Sequence, residues 1–225
     1  MNAIILAAGM GTRLRPLTNE IPKCLVKVNG TPMIERQIRY LHEAGVTDIT
    51  LISGYKAEKL DYLKEKYNLS IVFNEKYDIC NNIYSMYKVL DKFNDTWVIE
   101  GDVFMNKNCF DSTIDKSAYF CVYKENYKSE WGLISDDEGK LKEITIGNGS
   151  GYIMSGISYW TKTEAAYIVK QIKKLISNND YTNLFWDNAV LDIYKNLDIN
   201  IKSIDNIYEI DTEVELIEVE RKITL

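Results

Sequence analysis

MNAIILAAGMGTRLRPLTNEIP, residues 1–22, is the stretch on which the reading of the whole chain turns. Residues 3–8 form an unbroken apolar run of strand length, the pattern of a strand covered on both faces. The run breaks at Gly9-Met10-Gly11-Thr12-Arg13 into a polar loop that ends at Pro22-Lys23. Glycines let a backbone approach a bulky anion with its N–H groups free to point at phosphate oxygens. Arg13 adds a planar fork of donors and Lys23 a mobile point charge. Two glycines alone also serve as a plain strand connection. The loop has neither the third glycine and immediate helix of a dinucleotide-binding turn nor the Gly-Lys-Ser/Thr of a P-loop.

Outward from this loop, strands and helices alternate. Thr31-Pro32 reads as an N-cap and first helical residue, Ile34, Ile38 and Leu41 as the apolar stripe, and Gly45 as the stop. Residues 48–53 read as a strand, 58–67 as a helix and 70–73 as a third strand. That spacing argues for βαβ units and a mostly parallel sheet, a Rossmann-like α/β fold. Asn81-Asn82-Ile83-Tyr84-Ser85 opens a helix to about residue 90, in which Asn82 is either a cap or an amide offered to a ligand. Residues 96–100 form a buried strand that delivers Gly101-Asp102 at its carboxyl end, where open α/β sheets collect ligands. From Ser117 the pattern changes to short strand-like pieces separated by turns such as Asp-Asp-Glu-Gly. Part reads as continuing sheet and part as a β-hairpin lid. Residues 163–176 and 183–194 read as helices, 199–204 and 208–210 as extended, and 212 onward as a closing helix.

Composition narrows the function. The chain has 225 residues, 46% hydrophobic and 27% charged, enough for one sizeable core. A net charge of -6 argues against a nucleic-acid coat. Cys24, Cys80, Cys109 and Cys121 lack C-x-x-C spacing and read as reduced thiols. His42 is the single histidine, so a mechanism built on a histidine base is nearly excluded. No apolar run reaches the ~18 residues of a membrane span, and Met1 leads straight into a strand, so a cytoplasmic protein without membrane insertion is expected.

The string LAAGMGTRLRPLT (6–18), continued by PKCLVKVNGTPMI (22–34), resembles the N-terminal signature of the nucleoside triphosphate transferase family, enzymes that join a nucleotide to a phosphorylated acceptor. The resemblance implies one nucleotidyltransferase domain over residues 1–225, holding the nucleotide with about 1–115 and the acceptor with about 116–225. It implies that Leu6, Ala8, Gly9, Gly11 and Thr12 shape the nucleotide pocket, with Asn82 and Ser85 beside them. Arg13 would hold the departing β- and γ-phosphates, and Lys23 would bind the phosphates and steer the attack. Asp102 in EGDV and Asp211 in YEIDT match, in kind and order, the family's two metal-holding aspartates, so Mg²⁺ is the implied cofactor. As a bare residue, Asp211 also reads as the cap of the last helix. Such chemistry needs little side-chain base, because a phosphate's second pKa near ~6 leaves the attacking oxygen ionised at neutral pH. It needs relief of anion repulsion, which Mg²⁺ on carboxylates with Lys and Arg nearby supplies.

The second half carries Glu130-Trp131, Tyr181 and Phe185-Trp186-Asp187-Asn188. A quaternary ammonium has no N–H to donate and is recognised by aromatic faces and a nearby carboxylate. At these residues the likeness narrows. The short length, NNIYS, EW and WDN together resemble the bacterial CTP:phosphocholine cytidylyltransferases. That implies CTP and phosphocholine as substrates, with Trp131 and Trp186 around the trimethylammonium and Asp187 as counter-charge or near the metal. Tyr181 and Tyr84 are further candidates. Open beside it stand a cytidylyltransferase for 2-aminoethylphosphonate or phosphoethanolamine, a sugar-1-phosphate nucleotidyltransferase, and a non-catalytic nucleotide sensor. Monomer and homodimer are equally open.

Overall fold

The structure, a computed structural model, describes residues 1–178 and 180–224. In chain order its first half comprises β1 (Asn2–Ala7), β2 (Lys27–Val28), β3 (Thr31–Pro32), α1 (Met33–Glu43), β4 (Ile49–Ser53), α2 (Tyr62–Tyr67), β5 (Ser70–Phe73), α3 (Asn82–Tyr87), β6 (Thr96–Glu100) and β7 (Val103–Met105). The second half comprises β8 (Ser117–Ser135), β9 (Leu141–Trp160), α4 (Lys162–Ser177), α5 (Asp187–Leu191), β10 (Ile199–Ser203), β11 (Ile207–Glu209) and α6 (Glu213–Thr224). Seven strands form one sheet in the order β10-β8-β9-β6-β1-β4-β5. β6, β1, β4 and β5 run parallel, β10 runs parallel to β8, and β9 runs antiparallel between β6 and β8. The sheet is therefore mixed but mostly parallel.

The unbroken apolar run of β1 has a direct cause. Ala3, Ile5 and Ala7 pack on one face with Ile34, Ile38 and Leu41 of α1. Ile4, Leu6 and Ala8 pack on the other with Ile83 and Met86 of α3 and Ile168 and Ile172 of α4. A third cluster joins Leu14 and Val26 of the loop after β1 to Phe104, Ile210, Leu216 and Val219. Thus α6, at the end of the chain, clamps the loop at its beginning.

Several element boundaries differ from the sequence reading. Thr31-Pro32 pairs with Lys27-Val28, and Pro32 instead of Thr31 takes the N-cap position, so the helix begins at Met33. The helix expected over 58–67 divides at Asp61 into a 3-10 turn, Ala57–Leu60, and α2. The one expected over 183–194 narrows to α5, because residues 182–186 are strapped to the start of α3 instead. The four strand-like pieces after Ser117 are two long strands. β8 and β9 pair from Ala118↔Tyr159 out to Ser135↔Leu141, yet Gly132 also pairs with Ile153. The outer half of this hairpin therefore folds back over the inner half, and its turn reaches β10 through the bridge Lys140↔Asn200. Cys24, Cys80, Cys109 and Cys121 are free thiols. Among the described residues no helix is long and apolar enough to cross a membrane.

Candidate active site

Two cavities open at the carboxyl ends of β1 and β6. The first, about 370 Å³, is lined by Leu6, Ala8, Gly9, Gly11, Thr12, Arg13, Lys23, Asn82 and Ser85, so every residue expected around a nucleotide meets there. Gly11 has φ +58°, and a Cβ on it would lie 2.8 Å from the Lys23 Cβ. Only glycine lets the loop close around that lysine. Thr18 Oγ1 donates to the Gly11 carbonyl at 2.8 Å and holds the turn.

Lys23 is the electrostatic hinge. Its side chain is almost wholly buried, and its Nζ donates to Asp102 Oδ2 and to Asp211 Oδ1, each at 2.6 Å. Burial works against its charge, but the two aspartates outweigh burial and hold the ammonium pKa above its ordinary value. Arg13 Nη2 reaches the same Asp211 oxygen at 2.9 Å from a largely exposed side chain. Asp211 is not the cap of α6. A capping box of Thr212 and Glu215 takes that role, with Glu215 Oε2 accepting from the Asp211 and Thr212 amides and Thr212 Oγ1 accepting from the Glu215 amide. The Asp211 carboxylate is left free to face Lys23 and Arg13.

A third carboxylate joins them. Ligand oxygens of Asp102, Glu209 and Asp211 lie within 4.8 Å of one another, a set that could hold a divalent cation. Glu209 keeps part of its surface in solvent, yet desolvation within the cluster, then the charges of Asp102 and Asp211, push its pKa up. The sequence reading missed Glu209, although the signal is in YEIDT. Residues two apart in an extended segment face the same way, and Ile210 between them points into the third core cluster.

The second cavity, about 500 Å³, lies under the folded hairpin and is lined by Trp131, Trp186 and Asp187 among others. Asp187 is half-buried, and its Oδ1 accepts from Tyr119 Oη at 2.8 Å. Burial, partly offset by that bond, pushes its pKa up to about 7. Trp186 is 2% exposed and meets Trp160 and Phe93 edge-on at 5.8 and 6.1 Å, so most of the indole is core. Trp131 is only half-buried and sets its ring edge against Phe185 at 6.4 Å. Tyr84 and Tyr181 line neither cavity. They stack at 6.2 Å beside Lys76, whose Nζ lies 4.5 Å from the Tyr84 ring and donates to Tyr181 Oη at 2.9 Å.

Arg13, Asn82, Glu100, Asp102, Phe185 and Asp211 line both cavities. Asn82 is no helix cap. Its Nδ2 donates to Glu100 Oε1 and its Oδ1 accepts from the Trp186 amide, each at 2.8 Å, so it ties the first cavity's wall to the second's. Ser85 Oγ accepts from Asn74 Nδ2 at 2.9 Å. Burial, followed by the charges of Asp102 and Asp187, holds the Glu100 pKa well above the ordinary carboxylate range.

A Rossmann-like sheet with a glycine turn after its first strand, a buried lysine and converging carboxylates defines a nucleotide-handling α/β protein. The chain belongs to the nucleotidyl transferase family, whose model matches residues 2–205. It is 45% identical over 214 residues to a choline-phosphate cytidylyltransferase of Streptococcus pneumoniae, covering 94% of this chain and 93% of that one. It is 36% identical over 221 residues to a 2-aminoethylphosphonate cytidylyltransferase of Lancefieldella rimae, covering 96% of this chain and 90% of that one. A solved structure of a CTP:phosphocholine cytidylyltransferase from Streptococcus pneumoniae superimposes with a TM-score of 0.97 at 43% identity, covering 99% of this chain and 98% of that one.

Proposed function

We propose that the chain transfers CMP from CTP to phosphocholine, releasing CDP-choline and pyrophosphate. One observation carries this reading. The anion-cradling cavity and the aromatic, carboxylate-bearing cavity meet at a common wall that contains Asp102 and Asp211. An acceptor phosphate entering from one side and a triphosphate from the other would face each other there. The similarity to cytidylyltransferases over nearly the whole chain supports the choice of nucleotide and acceptor.

The new bond joins an acceptor phosphate oxygen to the α-phosphorus, and the bond to the β-phosphate oxygen breaks. The Gly9–Thr12 turn would present backbone N–H groups to the triphosphate. Lys23 would exchange its two aspartates for phosphate oxygens, and Arg13, already beside Asp211, would hold the departing pyrophosphate. Leu6 and Ala8 would bound the base, with Asn82 and Ser85 fixing the wall opposite. Asp102 and Asp211, with Glu209 as a third donor, would hold Mg²⁺. The donor set fits such an ion, because it offers carboxylate oxygens with no histidine or thiolate, the preference of a hard cation. When bound, Mg²⁺ supplies charge stabilisation and alignment at the phosphates. Trp131 and Phe185 would face the trimethylammonium, with Asp187 as its counter-charge.

A pyrophosphate-release screen tests this. Each of CTP, UTP, ATP, GTP and dTTP is paired with phosphocholine, phosphoethanolamine, 2-aminoethylphosphonate and glucose-1-phosphate. CTP with phosphocholine is expected to give the highest kcat/KM. A higher value with the phosphonate or the sugar phosphate would replace the proposed acceptor. No turnover with any pair would retire the enzyme reading in favour of nucleotide sensing.

A further inference from the structure

The pairing of β8 with β9 steps out of register at one point inside the second cavity. Phe120 pairs with Ile157, but Cys121 pairs with Met154, which leaves Ser155 and Gly156 unmatched. Gly156 has φ +78°, and a Cβ there would meet Val103 Cγ2 at 2.7 Å and Glu100 Cβ at 3.1 Å. The backbone is therefore pressed against the end of β6 by a residue that must be glycine. Bulges of this kind turn a side chain out of the strand's alternation, often beside a site.

Ser155 is one of the two unmatched residues. It is 8% exposed, lines the cavity, and its Oγ has no hydrogen-bond partner among the described residues. Buried hydroxyls are usually satisfied, so an unpartnered one on a residue of the cavity wall lacks a bond that a ligand seated there can supply. Two other neutral donors on this wall are already committed, Tyr119 Oη to Asp187 and Asn82 Nδ2 to Glu100.

We propose that Ser155 is a specificity-determining residue whose hydroxyl donates to a phosphate oxygen of the acceptor. The inference rests on reading this cavity as the acceptor site. A trimethylammonium head group has no N–H to donate and no lone pair to accept, so the phosphate is the part of such an acceptor that completes the hydroxyl.

The test uses the full chain. Wild-type turnover of phosphocholine is measured first, and its absence overturns the acceptor reading together with this inference. Given turnover, Ser155→Ala and Ser155→Cys are expected to raise the acceptor KM about tenfold, the effect of losing a hydrogen bond to a charged group. The CTP KM and the thermal midpoint should stay at wild-type values. Choline alone, as a competitive inhibitor against phosphocholine, should keep its inhibition constant in both variants. An unchanged acceptor KM overturns the role of Ser155 while leaving the acceptor reading intact. An equal rise in the choline inhibition constant overturns the assignment to the phosphate, and an equal rise in the CTP KM marks a merely structural residue.

Discussion

The two cavities share a wall but are made by opposite means. The first is centred on a local feature, the turn that ends β1 and a lysine a dozen residues later. The second is assembled from Tyr119 and Trp131 on β8, Ser155 on β9, and Trp186 and Asp187 at the start of α5. These come together only because a hairpin folds back on itself and the segment before α5 is strapped to α3. A phosphate is common to every nucleotide, and a backbone turn suffices to cradle it. An acceptor varies, and side chains on long-range scaffolding can vary with it. Under the proposed reading, the two constructions would take the nucleotide and the acceptor respectively.

The largest expected effect lies where the two constructions join. Asp102 belongs to both walls, to the carboxylate cluster and to the Lys23 pair. Asp102→Asn should lower kcat/KM for CTP about a thousandfold, or ~4 kcal/mol of transition-state stabilisation. The thermal unfolding midpoint should move little, since Lys23 keeps Asp211. Pyrophosphate release at several Mg²⁺ concentrations checks this. Full activity would separate the carboxylates from the chemistry, and a change in acceptor KM alone would confine Asp102 to the second cavity.

Trp186 and Trp131 sharpen the contrast within the second cavity. The fully packed indole of Trp186 makes Trp186→Ala a core deletion, expected to cost about 3 kcal/mol of stability, the lower end for Trp because the gap opens toward the cavity. Trp131→Ala, at a half-buried position, should cost far less stability. Both should raise the acceptor KM more than the CTP KM. Urea unfolding and steady-state kinetics read the two effects separately. If Trp131→Ala also shifted the CTP KM, the division between the cavities would fail.

Legibility follows the same line. The apolar run 3–8, the glycine turn, Lys23 and Asp102 are adjacent in sequence to the elements that place them, so their arrangement could be read before folding. Glu209 was readable too, from its two-residue spacing to Asp211. Ser155 and Tyr119 were not, because their positions depend on a bulge and on a side-chain pair from β8 to α5. The helix expected over 183–194 shrank for the same reason. Hydrogen bonds donated by Asn81 to the Thr182 and Asn183 carbonyls, and by the Trp186 amide to Asn82 Oδ1, override the local helical tendency. Tyr84 and Tyr181, adjacent to the right motifs in sequence, face Lys76 instead of either cavity.

The smallest effect concerns Asp187 and pH. Its folded pKa is pushed up to about 7, mainly by burial, against an ordinary value near 3.8. Between those values the folded chain keeps a proton that the unfolded chain has lost. This group's contribution to stability therefore falls as pH rises from about 4 to about 7. A cationic head group reverses the preference, because it favours the ionised carboxylate. The wild-type KM for phosphocholine should thus fall as pH rises from 6 to 8, by about threefold beyond the change seen in Asp187→Asn. The choline charge does not titrate, and the acceptor phosphate near pKa ~6 titrates identically in both proteins, so their ratio reports Asp187 together with any change it causes in Glu100. Glu100, whose pKa is raised in part by Asp187, should hold its proton less tightly once that charge is gone. Parallel KM profiles for wild type and Asp187→Asn would show that this carboxylate never meets the cation, and Glu130, which lines the same cavity from the hairpin and pairs with Lys124, would be the next carboxylate to test.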